Sequence, residues 1–178
     1  MSSNNPFDQF DIEHLSASSI NLFMQDIPLF IVRYLAKHKS PTNPAMLRGT
    51  VIDHAIGNKT SVAQAQKEFM ALMNYEKKQG NVFDQEKAET EYNNIEKYLE
   101  VGIPFYKQLG EPVSYQKKVE LQYEDLPIPI LGYVDMEYSD CIRDIKTTAK
   151  RPSALPEPVQ RQIALYAKCL DVDCAYAD

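Results

Sequence analysis

The apolar residues of this chain change their spacing near residue 110, and that change constrains the fold more than any other feature. Before it, they recur at three- and four-residue intervals: Leu47, Val51, Ile52, Ala55 and Ile56, then Val62, Ala65, Phe69, Leu72 and Met73, then Tyr92, Ile95, Leu99 and Phe105. That spacing gathers side chains on one stripe of a helix. After it, Val113, Tyr115, Val119, Leu121 and Tyr123 alternate, the period of a strand with one buried face. Further strands are expected over about Ile128 to Tyr138 and about Cys141 to Thr147, with Ser139-Asp140 turning the chain between them. A helix carrying Val159, Ile163, Tyr166, Ala167 and Leu170 follows, and a short strand begins near Cys174.

Local chemistry marks where the helices begin and end. Ser16 and Ser61 are suited to cap helices, Pro44 to a first helical turn, and Gly57 to a helix end. Pro28 opens a stretch through Phe30, Val32 and Leu35, and a helix from Asp84 is expected to break at Gly102 and Pro104. Consecutive strands followed by a helix and another strand imply an α/β fold: a mixed sheet of three antiparallel strands, a helix and a further strand, flanked by helices. One domain is expected over residues 1–178, mainly helical over 1–110 and βββαβ over 111–178.

Composition narrows the class. The chain has 178 residues, enough for one domain with a core of its own. No apolar run approaches the ~18 residues that span a membrane, and Met1-Ser2-Ser3-Asn4-Asn5 begins no secretory signal. Cys141, Cys169 and Cys174 are odd in number and lack metal-ligand spacing, which fits free thiols in a reducing cytoplasm. The net charge of −6 argues against general attraction to nucleic acid. Contact with DNA then requires a local basic patch, for which Arg143, Lys146, Lys150 and Arg151 are candidates; the alternative is a solvated rim.

The candidate chemistry lies on the strands. Asp135 ends Gly132-Tyr133-Val134-Asp135, and Asp144 and Lys146 stand two apart in Ile142-Arg143-Asp144-Ile145-Lys146-Thr147. Alternation along a strand puts Asp144 and Lys146 on one face, and the hairpin brings Asp135 close to Asp144. Neighbouring carboxylates repel unless a cation lies between them, and hard divalent ions favour oxygen ligands. A nearby lysine supplies positive charge where an attacked phosphate gains negative charge. These are the parts of a metal-dependent phosphodiesterase; the plain alternative is a surface hairpin with a solvated ion pair.

Several segments, in order along the chain, resemble the motifs of one family. Leu15-Ser16-Ala17-Ser18-Ser19-Ile20 resembles the L-S-x-S-x-[LI] opening of RecB-family nucleases. Arg48-Gly49-Thr50-Val51-Ile52-Asp53-His54 resembles their G-x-x-x-H helix, with Gly49 and His54 one residue further apart than in the commonest form. Gly132-Tyr133-Val134-Asp135 matches G-x-[ILV]-D, Asp144-Ile145-Lys146-Thr147 matches D-x-K-T, and Gln162-Ile163-Ala164-Leu165-Tyr166 matches Q-x-x-x-Y. The chain thus resembles the PD-(D/E)XK nuclease superfamily, in the branch of RecB-type and CRISPR-adaptation nucleases and related phage exonucleases.

The resemblance implies a restriction-endonuclease-like core and a Mg²⁺- or Mn²⁺-dependent deoxyribonuclease. Asp135 and Asp144 would hold the metal, with the backbone carbonyl of Ile145 and the imidazole of His54 as further ligands. Lys146 would act on the attacking water or the phosphate, with Gln162 and Tyr166 completing the catalytic set. His54 otherwise reads as a core-facing residue of an apolar helix, and Gln162 and Tyr166 as an interior pair. No cysteine lies near the N-terminal motif, so the branch's iron–sulfur cluster is not expected. No Gly-x-x-x-x-Gly-Lys phosphate loop is present, so no helicase activity is expected, and the chain is expected to work alone, as a homo-oligomer, or with a separate recombination partner protein. An exonuclease of phage or mobile-element recombination, replication or repair is the leading expectation. The rivals are a structure-specific endonuclease or resolvase, and a non-catalytic DNA-end-binding protein.

Overall fold

The computed structural model describes residues 5–150 and 152–178. The fold is mixed α/β, and the chain forms two compact units. The first comprises residues 1–40, 113–144 and 150–178; the second comprises 41–112 and 145–149. No helix among the described residues is long and apolar enough to cross a membrane.

The first unit is built on a four-stranded sheet of β1 (Ser114–Leu121), β2 (Ile130–Glu137), β3 (Cys141–Asp144) and β4 (Cys174–Ala177), ordered β1-β2-β3-β4. β1 and β2 pair antiparallel, as do β2 and β3, whereas β4 runs parallel to β3. Tyr138 N–H donates to the Cys141 carbonyl at 2.8 Å, closing the expected two-residue turn at Ser139-Asp140. The parallel β4 needs a crossover, and α6 (Glu157–Leu170) supplies it. α6 packs on the sheet, where Val119, Val134, Ile142 and Tyr166 form a buried cluster flanked by Leu165, Ala167 and Leu170.

The N-terminal helices belong to the same unit: α1 (Ala17–Gln25) and α2 (Ile27–Phe30), with a π-helical turn over Ile31–Leu35. Ser16 caps α1 by a reciprocal box, accepting from Ser19 N–H while its own N–H donates to Ser19 Oγ. The helical reading past Pro28 thus holds, but as one short α-turn continued by a wider one. Asn21 of α1 donates to the Pro158 carbonyl and accepts from Arg161 Nε. These bonds fix α1 to the start of α6.

The second unit packs α3 (Pro44–Gly57), α4 (Val62–Lys78) and α5 (Gln85–Leu109). α3 buries Leu47, Arg48, Val51, Ile52, Ala55 and Ile56, a stripe at three- and four-residue spacing. Asn43, Ser61 and Asp84 cap the three helices through their side chains. The break expected at Gly102 and Pro104 does not occur: α5 runs through both. A proline inside a helix costs about 3 kcal/mol, and tertiary packing on both sides offsets it. Leu99 and Tyr106 are buried before and after it, and Ile56 closes over Gly102.

A second expectation is corrected at β3. The strand ends at Asp144 instead of continuing to Thr147, so Asp144 and Lys146 are not alternate residues of one strand. Its pairing with β2 covers Met136↔Arg143 and Glu137↔Ile142. Residues 145–149 join the second unit. There the carbonyls of Thr147 and Thr148 accept from the Arg48 guanidinium and the Tyr98 hydroxyl instead of from a neighbouring strand.

Candidate active site

The sheet sets the first relation. Met136 pairs with Arg143 in the antiparallel ladder of β2 and β3, so the next step of that register sets Asp135 opposite Asp144. On the other side of β2, Tyr115↔Met136 and Lys117↔Val134 bracket the position opposite Asp135, which Gln116 occupies. Gln116 Nε2 donates to Asp135 Oδ1 at 2.9 Å. Gln116 also has a φ of 51°, a left-handed backbone inside a strand that a non-glycine residue adopts only at an energetic cost. The strained residue of β1 is thus the one that meets the Asp135 carboxylate.

α6 supplies the second relation. Gln162 and Tyr166 lie one turn apart on it and so share a face. Gln162 Nε2 donates to Asp144 Oδ1 at 3.1 Å and to the Tyr166 hydroxyl at 3.2 Å. Asp144 is only 2% exposed, and a carboxylate so far from water is costly unless hydrogen bonds or cations compensate. Burial pushes the Tyr166 phenol above its ordinary range. The Gln162 hydrogen bond pulls it back, Asp144 and Asp135 push it further up, and a bond with the Tyr133 backbone also lowers it. Tyr166 therefore remains a neutral phenol at physiological pH.

A glycine makes room for this arrangement. A Cβ on Gly132 would stand 2.2 Å from Tyr166 Cε1, closer than any real contact. Gly132 therefore belongs to the site as the residue that lets Tyr166 lie against β2.

No family model, no curated protein and no solved structure matches this chain. The site has to be read from its own residues.

Asp135, Asp144, Gln162 and Tyr166 all lie in the first unit; hydrogen bonds join the last three, and the strand register brings Asp135 beside Asp144. Ile145, Lys146 and His54 belong to the second unit. His54 is not core-facing: its side chain is 43% exposed, and Nδ1 lies 2.7 Å from Glu68 Oε1. Lys146 and Ile145 follow Asp144 in the irregular segment and are half-buried.

The expected basic patch is not uniform. Arg143 gives Asp178 two hydrogen bonds, at 2.8 and 2.9 Å, and its guanidinium lies 4.2 Å from the Tyr176 ring centroid. Its side chain is 14% exposed, so it braces β3 against β4. Lys150 is exposed, and Arg151 lies outside the described residues.

Among the described residues, no three or more His, Cys, Asp or Glu side chains come together as a metal-ligand group. A Mg²⁺-like ion keeps several waters and needs only one or two carboxylates, so the hard oxygen donors of Asp135 and Asp144 fit such an ion. Sequence reasoning missed Gln116, whose backbone nothing in the sequence foretells, and Arg48, a buried cation in an apolar helix. It also passed over Asp53 of α3, whose Oδ1 is buried.

Proposed function

We propose that the protein is a Mg²⁺- or Mn²⁺-dependent deoxyribonuclease on a restriction-endonuclease-like core. In this reading it is an exonuclease hydrolysing phosphodiester bonds in phage or mobile-element recombination, replication or repair. The observation that carries the reading is the hydrogen bond from Gln162 of α6 to the buried Asp144 carboxylate, beside a β2–β3 register that runs to Met136↔Arg143, one step short of Asp135 and Asp144. The ordered resemblance to RecB-type motifs supports it.

Asp135 and Asp144 hold the ion in this proposal. When bound there, such a cation would lower the pKa of water and supply positive charge to the phosphate. Gln162 fixes the direction of one Asp144 oxygen, and the neutral Tyr166 phenol holds the Gln162 amide. On the β1 side Gln116 does the same for Asp135. Such supporting bonds keep ligand oxygens aimed and commonly account for 10–100-fold in affinity or activity. Lys146 supplies positive charge to the phosphate, and the exposed Lys150 adds a contact for the DNA backbone.

The test is incubation of the purified protein with end-labelled linear duplex and closed circular DNA in Mn²⁺. Acid-soluble nucleotides released from the linear substrate alone, and abolished by EDTA, are the expected result. Cleavage of the circle indicates an endonuclease instead. DNA binding without release, at millimolar Mn²⁺, replaces this reading with a non-catalytic end-binding protein.

A further inference from the structure

The Lys146 segment has no ladder to hold it. Residues 145–149 form neither helix nor strand, so their polar backbone groups need other partners. Two carbonyls in succession find side chains. Arg48 of α3 donates from Nη2 to the Thr147 carbonyl and to Thr147 Oγ1, each at 3.3 Å. Tyr98 of α5 donates its hydroxyl to the Thr148 carbonyl at 2.7 Å.

These two donors are themselves coupled. The Arg48 guanidinium carbon lies 4.6 Å from the Tyr98 ring centroid, a cation–π distance. Its Nη1 pairs with Glu91, also on α5. Arg48 is only 5% exposed. A buried ion pair contributes little net stability compared with an apolar replacement, so packing alone does not explain a guanidinium here. Its planar fork does: one edge meets Glu91 while the other meets the backbone and hydroxyl of Thr147. Gly49 completes the seat, because a Cβ there would stand 3.3 Å from Thr147 Oγ1.

We infer that Arg48, with Tyr98 and Glu91, is a positioning device that sets the backbone on which Lys146 is carried. The inference rests on the nuclease reading. Arg48 acts through Lys146 and touches neither DNA nor metal. A geometric error in a reacting group costs about 100-fold in rate even when its origin is remote, whereas substrate binding elsewhere is spared.

The experiment is a double-mutant cycle on steady-state Mn²⁺-dependent DNA cleavage, with Arg48→Lys, Lys146→Ala and the double variant. Arg48→Lys keeps the charge but loses the fork. It is expected to lower kcat about 100-fold, with KM for DNA changed by less than about 3-fold. The double variant is expected to be no slower than Lys146→Ala alone, because residues acting through one group are not additive. Tyr98→Phe keeps the ring beneath Arg48 and loses one hydrogen bond. It is expected to lower kcat roughly five-fold, and it replaces Arg48→Lys in the cycle if that variant does not fold. Wild-type kcat in either folded variant, or equal loss on the wild-type and Lys146→Ala backgrounds, overturns the inference alone. A wild-type protein that does not cleave DNA overturns the nuclease reading, and this inference with it.

Discussion

Tyr166 lies so close over Gly132 that a single methyl group cannot fit between them: a Cβ on Gly132 would stand 2.2 Å from the ring. The same tyrosine receives the Gln162 amide that also holds Asp144. Room on β2, the position of α6 and the direction of a carboxylate are thus one linked arrangement. Substituting the glycine disturbs all three.

Gly132→Ala is accordingly expected to destabilise the protein by about 1–3 kcal/mol, the usual cost of overpacking a buried site. For a chain of this length that lowers the melting temperature by roughly 2–4 °C per kcal/mol. Replacing Tyr166 by leucine in the same chain removes the clashing ring and is expected to recover part of the loss. Urea denaturation of the wild type and the single and double variants checks both statements. A Gly132→Ala protein as stable as wild type contradicts the packing described.

The Tyr166 phenol gives a pH signature. Its folded pKa is raised, chiefly by burial, above the unfolded value of about 10. Its contribution is fully present below pH 10 and is lost as pH rises from there through the folded value. Stability is therefore expected to fall in the alkaline range, and less steeply in Tyr166→Phe. Unfolding free energies between pH 8 and 12 make the comparison; identical slopes for the two proteins contradict the assignment.

His54 lies on α3 with its side chain 43% exposed and its Nδ1 2.7 Å from Glu68 Oε1, and a carboxylate on one ring nitrogen is the usual support of a histidine that ligates a metal through the other. His54→Ala is expected to raise the half-saturating Mn²⁺ concentration by about 10-fold. Titration of cleavage rate against Mn²⁺ for wild type and variant checks this; an unchanged half-saturating concentration together with a lowered melting temperature rejects the ligand role.

Much of the fold was legible because local chemistry and tertiary structure agree in most of it. Ser16, Ser61 and Pro44 mark helix starts by rules that act within one turn, and alternation along β2 follows from burying one face, whereas in β1 Val119 alone of the alternating set is buried and Val113 and Tyr123 lie exposed outside the strand. What sequence could not give was settled by distant partners. α5 continues past Pro104 because Tyr106 beyond it is buried. β3 stops at Asp144 while Thr147 and Thr148 turn to Arg48 and Tyr98. The candidate carboxylates were visible as motif residues, but their supports were not. Gln116 gives no local sign of its left-handed backbone, and Arg143, a candidate DNA contact by sequence alone, is engaged by Asp178.

In the proposed site, Asp135 and Asp144 together hold a divalent cation. Electron paramagnetic resonance of Mn²⁺ measures this directly, since bound Mn²⁺ loses the sharp six-line spectrum of the free ion. The wild-type protein is expected to take up Mn²⁺ at sub-millimolar concentration, and Asp144→Asn to weaken uptake by about 10-fold or more, with Asp135→Asn behaving alike. Asp144→Asn binding Mn²⁺ as tightly as wild type, or a wild-type protein that takes up none at millimolar concentration, would contradict the account.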